Sequence, residues 1–379
     1  MKGREIANQD KVSIYAVGDV AVTRDNPESA FSCTTPFLNE PDILFGQLEA
    51  TLSQKGTPKA ESAQRPHPDV ASALEAAGFD VMSFASNHVL DWGMDGLLDT
   101  INIAKEKGIT LVGAGKDINE ARRPAIIERK GVKIAFLGYN SILRPGFWAT
   151  ADRPGCAPVR VRTFYEAIEP HQPGTPSEVF TFAYKEDLQE MVEDIKNVRP
   201  LADIVVISMH WGIHFMPAKL AMYQQEVGYA AIDAGADLII GSHPHILKGI
   251  EVYKGKVIFY SLGNFAMDSS VTKSWPHVPA RWRKREVLYN FKIDPEWGAT
   301  YPFPADSRKT ILAKCIISNK KIEKVSFLPV LINKLNQPQV LPQDDANFAE
   351  VVKFMNWSCE DQELGTKLSP EGNEVVISM

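Results

Sequence analysis

Cysteine is scarce in this sequence. Cys33, Cys156, Cys315 and Cys359 lie far apart, and none falls in a C-x-x-C pair. That excludes a disulfide scaffold and a thiolate zinc site, and free thiols point to a reducing compartment. No apolar run approaches the ~18 residues that a membrane-spanning helix requires. Met1 to Asp10 is polar and charged, without the apolar stretch of a secretion signal. The expectation is a cytoplasmic protein without membrane insertion. Dense basic tracts are also missing. The net charge is −6, and the one short run is Arg281-Trp282-Arg283-Lys284-Arg285. Such a run is either a solvated face or an anion-binding loop, and nucleic acid is not an expected partner. There is no internal repeat and no low-complexity segment. A hydrophobic share of 44% over 379 residues leaves an ordinary globular chain, long enough to bury a full core.

Short Val/Ile/Phe-rich runs punctuate the first two thirds of the chain, each ending in glycine or a polar residue. Val12–Val17 ends at Gly18-Asp19, and Asp42–Phe45 leads to Gly46 and Glu49. Phe79–Ala85 ends at Ser86-Asn87-His88, and Ile204–Met209 at His210. Leu238–Ile240 ends at Gly241-Ser242-His243, and Val257–Tyr260 at Ser261-Leu262-Gly263-Asn264. These are buried strands bounded by turns. Helical spacing fills the gaps over residues 69–78, 94–107, 185–199 and 219–234. Alternating strands and helices imply an α/β architecture with packed sheets. A core domain is expected over residues 11–268. Within it, 144–177 is a Pro/Gly-rich, lid-like excursion carrying Phe147 and Trp148, with a short helix near Phe164–Ile168. Residues 269–335 form a β-rich addition packed on that core, with strands at Val287–Ile293, Thr310–Ile317 and Ile322–Val330. Residues 336–379 are a weakly patterned tail.

The polar residues at the strand ends form a donor set: Asp19, Glu49, Asn87, His88, His210, His243 and His245. In open α/β sheets the carboxyl ends of strands are where sites assemble. Carboxylate and imidazole donors suit Zn, Mn, Fe, Co or Ni. Seven donors exceed what one tetrahedral ion uses, and are enough for two divalent ions that clamp an attacking and a leaving oxygen. Each residue alone is weak: a single His after a strand is more often structural. Asn87-His88 with Asp91 and Gly93 also reads as a strand-to-helix turn capped by Asn87 or Asp91. His243-Pro244-His245 converges on one point only if the chain turns, and Gly241 and Pro244 are the expected turn formers.

The segments Gly18-Asp19-Val20, Gln47-Leu48-Glu49 with Thr51-Leu52, Ser86-Asn87-His88-x-x-Asp91-x-Gly93-x-x-Gly96, and Gly113-Ala114-Gly115 form an ordered series. His210-Trp211-Gly212, Gly235 through His245, and Ser261-Leu262-Gly263-Asn264-Phe265 continue it. In this series the chain resembles the CapA family of poly-gamma-glutamate capsule-biosynthesis proteins, a branch of the calcineurin-like metallophosphoesterases. The resemblance implies an αββα sandwich of two packed mixed sheets flanked by helices, with a dinuclear centre. It implies that Asp19 and His245 hold one metal, that Glu49 bridges, and that Asn87, His210 and His243 hold the second. His88 becomes the candidate general acid, oriented by Asp91. Arg24, His214 and Trp211 become candidate substrate-binding residues, with a surface ion pair as the competing reading of Arg24 and a core position that of Trp211. Trp275 and Arg281–Arg285 also stand as candidates to face the site.

The sequence departs from the family pattern at three places. Asp19-Val20-Ala21 stands where phosphoesterases carry Asp-x-His, Gln47 where the family commonly has Asn, and His214 where it often has Glu. The expected function is a metal-dependent hydrolase that activates water against a small or short oligomeric anionic substrate: a phosphoester, amide or lactone. A metal-dependent lyase or ring-opening enzyme and a non-catalytic component of capsule synthesis are the alternatives.

Overall fold

Strand β1 (Lys11–Ala21) is buried on both faces: Ile14 and Ala16 on one, Tyr15 and Val17 on the other. Side chains alternate with period 2 along a strand, so two apolar sets mark a strand covered from both sides. The computed structural model describes residues 11–59, 65–268, 284, 286–289, 291 and 301–379, and there β1 runs through the interior of a ten-stranded mixed sheet. On one side of it lie, all parallel, β2 (Ile43–Leu48), β3 (Val81–Ser83) and β4 (Thr110–Val112). On the other side β16 (Lys309–Ser318) pairs antiparallel, followed by β17 (Lys321–Ile332) and the hairpin of β20 (Glu374–Ile377) and β19 (Leu368–Glu371). β15 (Asn264–Met267) pairs in parallel with the C-terminal end of β1, setting Asn264 opposite Asp19, and β18 (Pro338–Val340) pairs with β17.

The second sheet has six strands, in the order β13 (Ile250–Tyr253), β14 (Lys256–Phe259), β12 (Leu238–Ser242), β11 (Ile204–His210), β7 (Val132–Asn140) and β6 (Ala125–Arg129). Its four central strands are parallel and its two edges antiparallel. The sheets pack face to face. Ile14, Ala16, Ile43 and Phe45 share one core with Phe136, Ile207 and Ile239 of the second sheet. Phe45 stacks on Phe136 with centroids 5.8 Å apart and planes at 5°. Truncating either ring to alanine would cost about 3–5 kcal/mol.

Helices close both outer faces. Val70–Ala76 and Gly93–Glu106 cover the first sheet through Leu74 and Leu97, packed with Leu44, Leu48 and Met82. Lys185–Val198 and Met222–Ala234 cover the second through Met191, Ile195, Val227 and Ala231. The result is the expected αββα sandwich. Among the described residues no helix is long and apolar enough to cross a membrane.

Three segments differ from their sequence reading. Residues 144–160 return to the core, burying Ala149, Cys156, Ala157 and Val159, and β5 (Ala114–Gly115) pairs there with β8 (Gly155–Cys156). Residues 161–183 form a two-stranded hairpin of β9 (Val161–Ala167) and β10 (Ser177–Ala183), so Phe164–Ile168 starts as strand rather than helix. Threonine and aromatic residues at 163–165 favour the extended chain there. Residues 336–379 carry the helix Ala346–Asp361, with Phe348, Val351 and Met355 in the core, as well as β18 and the β19–β20 hairpin. Beyond residue 268, β16 and β17 are integral to the first sheet. Residues 286–289 are helical, not extended. Trp275 and all of Arg281–Arg285 except the exposed Lys284 lie outside the described residues.

Candidate metal centre

The predicted donors leave strand ends on the same edge of the sandwich. Asp19 is near the end of β1, Glu49 follows β2, Asn87 follows β3, His210 ends β11, and His243 and His245 follow β12. A Cβ on Gly18 would lie 1.9 Å from the carbonyl oxygen of Gly263. Only glycine therefore admits the approach in which Asp19 N donates to Gly263 O at 3.0 Å. The His243-Pro244-His245 turn is made by the histidines themselves, with φ of 91° at His243 and 54° at His245. Gly241 serves a different purpose: a Cβ there would meet Tyr260 O at 2.3 Å and Trp211 Nε1 at 2.6 Å. Left-handed backbone at two non-glycine residues costs about 1–3 kcal/mol each, and that strain turns both imidazoles to one side.

Two groups of donors result. In the first, Asn87 Oδ1 lies 2.7 Å from His210 Nε2 and 3.1 Å from His243 Nδ1, and those nitrogens are 3.2 Å apart. Glu49 Oε1 is 3.5 Å from His210 Nε2. Ligand atoms of Glu49, His210 and His243 all fall within 4.8 Å of one another. In the second group, His245 Nδ1 is 3.2 Å from Asp19 Oδ2 and 2.8 Å from Asn264 Oδ1. Asn264 is positioned in turn by its amide donating to the Tyr301 hydroxyl at 2.8 Å.

The electrostatics of the first group call for a cation. Glu49 is buried, and Oε2 accepts from Ser86 Oγ at 3.0 Å, yet Oε1 has no hydrogen-bond partner among the described residues. Burial, then the charges of Asp19 and Asp91, push the Glu49 carboxyl well above its ordinary range. Burial first, and the surrounding imidazoles second, hold His210 and His243 well below theirs. Neutral imidazoles are the ligand state of histidine, and a buried carboxyl that holds its proton for want of a neighbouring positive charge is one that a metal ion would ionise. Two imidazole nitrogens on one tetrahedral ion at ~2.0–2.1 Å stand about 3.3 Å apart, close to the spacing found here. The donor set fits a divalent ion.

The rim is built around His88. Its Nδ1 is 2.6 Å from Asp91 Oδ2, and its Nε2 is 3.8 Å from Glu49 Oε1. The carboxylate fixes the ring and its Nδ1–H tautomer, leaving Nε2 toward the centre. His214 stacks on His243 at 3.9 Å between centroids and lies 5.3 Å from His245, so it walls both donor groups.

Two candidates are not part of this arrangement. Trp211 is fully buried, stacks on Tyr260 and donates Nε1–H to the Tyr260 carbonyl at 2.9 Å; it is a core residue that cannot touch substrate. Arg24 is held by Asp268, through Nε at 3.0 Å and Nη2 at 2.6 Å, and Nη2 also donates to Asn336 O. That is the ion-pair reading of Arg24, with Asp268 fixed by the β1–β15 pairing. Sequence reasoning missed two residues. Asn264 was visible as a strand-end motif but received no role, because its place beside His245 depends on that same pairing. Arg144 has a largely exposed guanidinium whose Nη1 lies 3.8 Å from Asp91 Oδ1, an oxygen without a hydrogen-bond partner among the described residues. It is the cation beside the His88–Asp91 pair, and nothing in its local sequence distinguishes it from a surface arginine.

Comparison with known proteins identifies the family of the chain. Residues 13–269 match the family model described as "Bacterial capsule synthesis protein PGA_cap". The chain is 29% identical over 290 residues to the "Capsule biosynthesis protein CapA" of Bacillus anthracis, spanning 73% of this chain and 65% of that one. It is 29% identical over 301 residues to the "PGA biosynthesis protein CapA" of Bacillus subtilis, spanning 76% and 72%. A "Probable polyglutamine synthesis accessory protein" of Mycobacterium tuberculosis is 32% identical over 235 residues, 60% of this chain and 56% of that one. Among solved structures, a hypothetical protein of Thermus thermophilus superposes with a TM-score of 0.44 at 13% identity, covering 84% of this chain and 98% of that one. The calcineurin-like phosphoesterase YfkN of Bacillus subtilis gives 0.37 at 15% identity, covering 93% and 97%. With its matched span running from the start of β1 to the residue after Asp268, this chain belongs to the bacterial capsule synthesis protein family PGA_cap.

Proposed function

We propose that this protein is a metal-dependent hydrolase acting on a small or short oligomeric anionic substrate: a phosphoester, amide or lactone. The observation that carries the reading is the convergence of Glu49, Asn87, His210 and His243 around an orphaned carboxylate oxygen, beside a second group of Asp19, His245 and Asn264. In this reading Asn87, His210 and His243 would hold one divalent ion, Asp19 and His245 would hold a second, and Glu49 would serve both, the ions being Mn, Zn or Fe. Ions so held supply Lewis-acid charge and lower the pKa of water at the site. Asn264 completes the half of the site where the sequence lacks the His of Asp-x-His, either as a ligand or by fixing His245. His88, with Nδ1–H held by Asp91, takes a proton on Nε2 to become the imidazolium and gives that proton to the leaving group, returning to the Nδ1–H tautomer. Arg144 takes the anion-binding role first assigned to Arg24, and His214 shapes the wall on which the substrate rests.

A second reading is supported by the names of the curated relatives, which describe biosynthesis and accessory proteins: a non-catalytic component of poly-gamma-glutamate or capsule synthesis. One experiment separates the readings. The purified chain, loaded with Mn, Zn or Fe(II), is screened against phosphoesters, amides and lactones in water labelled with heavy oxygen. Hydrolysis predicts turnover with label in the product, and loss of both metal and turnover in His243→Ala and Glu49→Ala. Turnover without label points to lyase chemistry. A metal-loaded chain without turnover on any class overturns the hydrolase reading.

A further inference from the structure

The β9–β10 hairpin projects from the sandwich with little covering it. Every residue from Arg162 to Ala167 is exposed, on both faces of the ribbon. Phe164, Tyr165, Ile168, Val179 and Phe182 are between 44% and 72% exposed. Among the described residues the arm is fastened near its base, where Thr181 Oγ1 accepts from Tyr223 N and Glu226 accepts from Ala183 N. A lone two-stranded ribbon is marginal in water. β9 has no second strand neighbour among the described residues, so one edge of backbone groups is open for pairing.

We infer that this edge pairs with its counterpart in a second copy of the chain, joining two arms into a four-stranded antiparallel sheet. The sequence of β9 is self-complementary about Phe164. In antiparallel pairing across a two-fold axis there, Phe164 faces Phe164 of the other copy, Arg162 faces Glu166, and Glu166 faces Arg162. Val161 meets Ala167, and Thr163 meets Tyr165. Opposite charges directly across a ladder stabilise it, and an isologous interface requires this kind of self-match. Within one arm Glu166 sits directly opposite Glu178, a like-charge pair that destabilises the ribbon. The arginine of the second copy, arriving at the open edge, offsets that repulsion. Phe164 and Phe182 already lie 6.1 Å apart on the same face as Arg162. Phe180 sits directly opposite Phe164 within the arm, so pairing at β9 makes a row of four phenylalanines across the new sheet, Phe180 and Phe164 from each copy, with Phe182 on the diagonal. Arg162 rests over the Tyr184 ring at 4.5 Å, near the base of the arm. Natural edges usually carry charge to repel a neighbour; here the two charges attract a second copy.

The test is a charge swap read by analytical ultracentrifugation of the full chain at concentrations well above micromolar. The wild type sediments as a dimer. Arg162→Glu and Glu166→Arg, each of which sets like charges opposite one another twice, sediment as monomers. The double variant R162E/E166R, which restores both pairs in reverse, sediments as a dimer again. Thermal melts of the monomeric variants show whether the sandwich is intact, since both positions are exposed. A monomeric wild type, a single variant that stays dimeric, or a double variant that stays monomeric while the melt is unchanged each overturn the inference.

Discussion

His243 Nδ1 faces His210 Nε2 at 3.2 Å, with the Asn87 side-chain oxygen within 3.1 Å of both. Of the three atoms, the oxygen can only accept, and the two rings can share few protons with it. Three donor atoms this close are spaced as ligands of one divalent ion would be.

The first prediction follows from Glu49, whose folded-state pKa is raised. Between its unfolded pKa and that raised value, the folded protein binds the extra proton, so the metal-free protein loses stability as pH rises through this window. Glu49→Gln removes the slope and stabilises the metal-free form at neutral pH by about 1–3 kcal/mol. A divalent ion at 100 times its dissociation constant stabilises the wild type by about 2.7 kcal/mol and the variant by much less. Thermal melts with and without chelator, across pH, measure all three effects.

His88→Gln should lower kcat by about 10²–10⁴-fold while leaving metal content unchanged by elemental analysis. Asp91→Asn should act through the same ring with a smaller loss, about 10–100-fold, again with metal content unchanged. Loss of metal in His88→Gln would place that ring among the ligands instead.

Arg144 and Arg24 should separate cleanly. Arg144→Ala raises KM with little change in stability, because the guanidinium is largely exposed. Arg24→Ala leaves Asp268 Oδ2 its two backbone donors at residues 23 and 24 but takes the guanidinium from Oδ1, and costs about 1–3 kcal/mol of stability, with KM unchanged. Steady-state kinetics and denaturant melts on the two variants decide between them.

Lys248 is fully buried, and its amine donates to the Met216 and Lys219 carbonyls, tying down the loop that carries His214. Burial lowers its pKa to about 7, and a neutral amine still has two hydrogens for the two carbonyls. The folded state then binds fewer protons than the unfolded one between pH about 7 and about 10.4, so stability rises with pH across that window. Lys248→Met should abolish this rise and cost about 1–3 kcal/mol for each carbonyl left unpaired. Chemical denaturation at several pH values checks both.

What the sequence revealed of this site were groups whose position follows from their own strand. An apolar run followed at once by Asp19, Asn87, His210 or His243 puts a donor at the sheet edge whatever the rest of the chain does. The β16–β17 pair was legible for the same reason, as two long apolar runs. Properties set by distant partners were not. Arg24 looks like a substrate arginine until Asp268, 244 residues away, occupies it. Asn264 acquires its role only through register with Asp19. Trp211 reads the same exposed or buried, and only the Tyr260 carbonyl decides. The arm at 161–183 was hidden because a ribbon exposed on both faces has no buried side to impose an apolar/polar alternation.

The pairing of β1 with β15 has a consequence for how the protein matures. His243 and Asp19 are 224 residues apart in the chain, and the strand that supplies Asn264 is added later still. No fragment ending before β15 can set Asn264 beside His245, and closing so long a loop is slow compared with forming the local βα units. The two donor groups thus come together only after the local βα units that carry them have formed. A product truncated before β15 would keep the donors of the first group and lack the strand that sets Asn264 against His245.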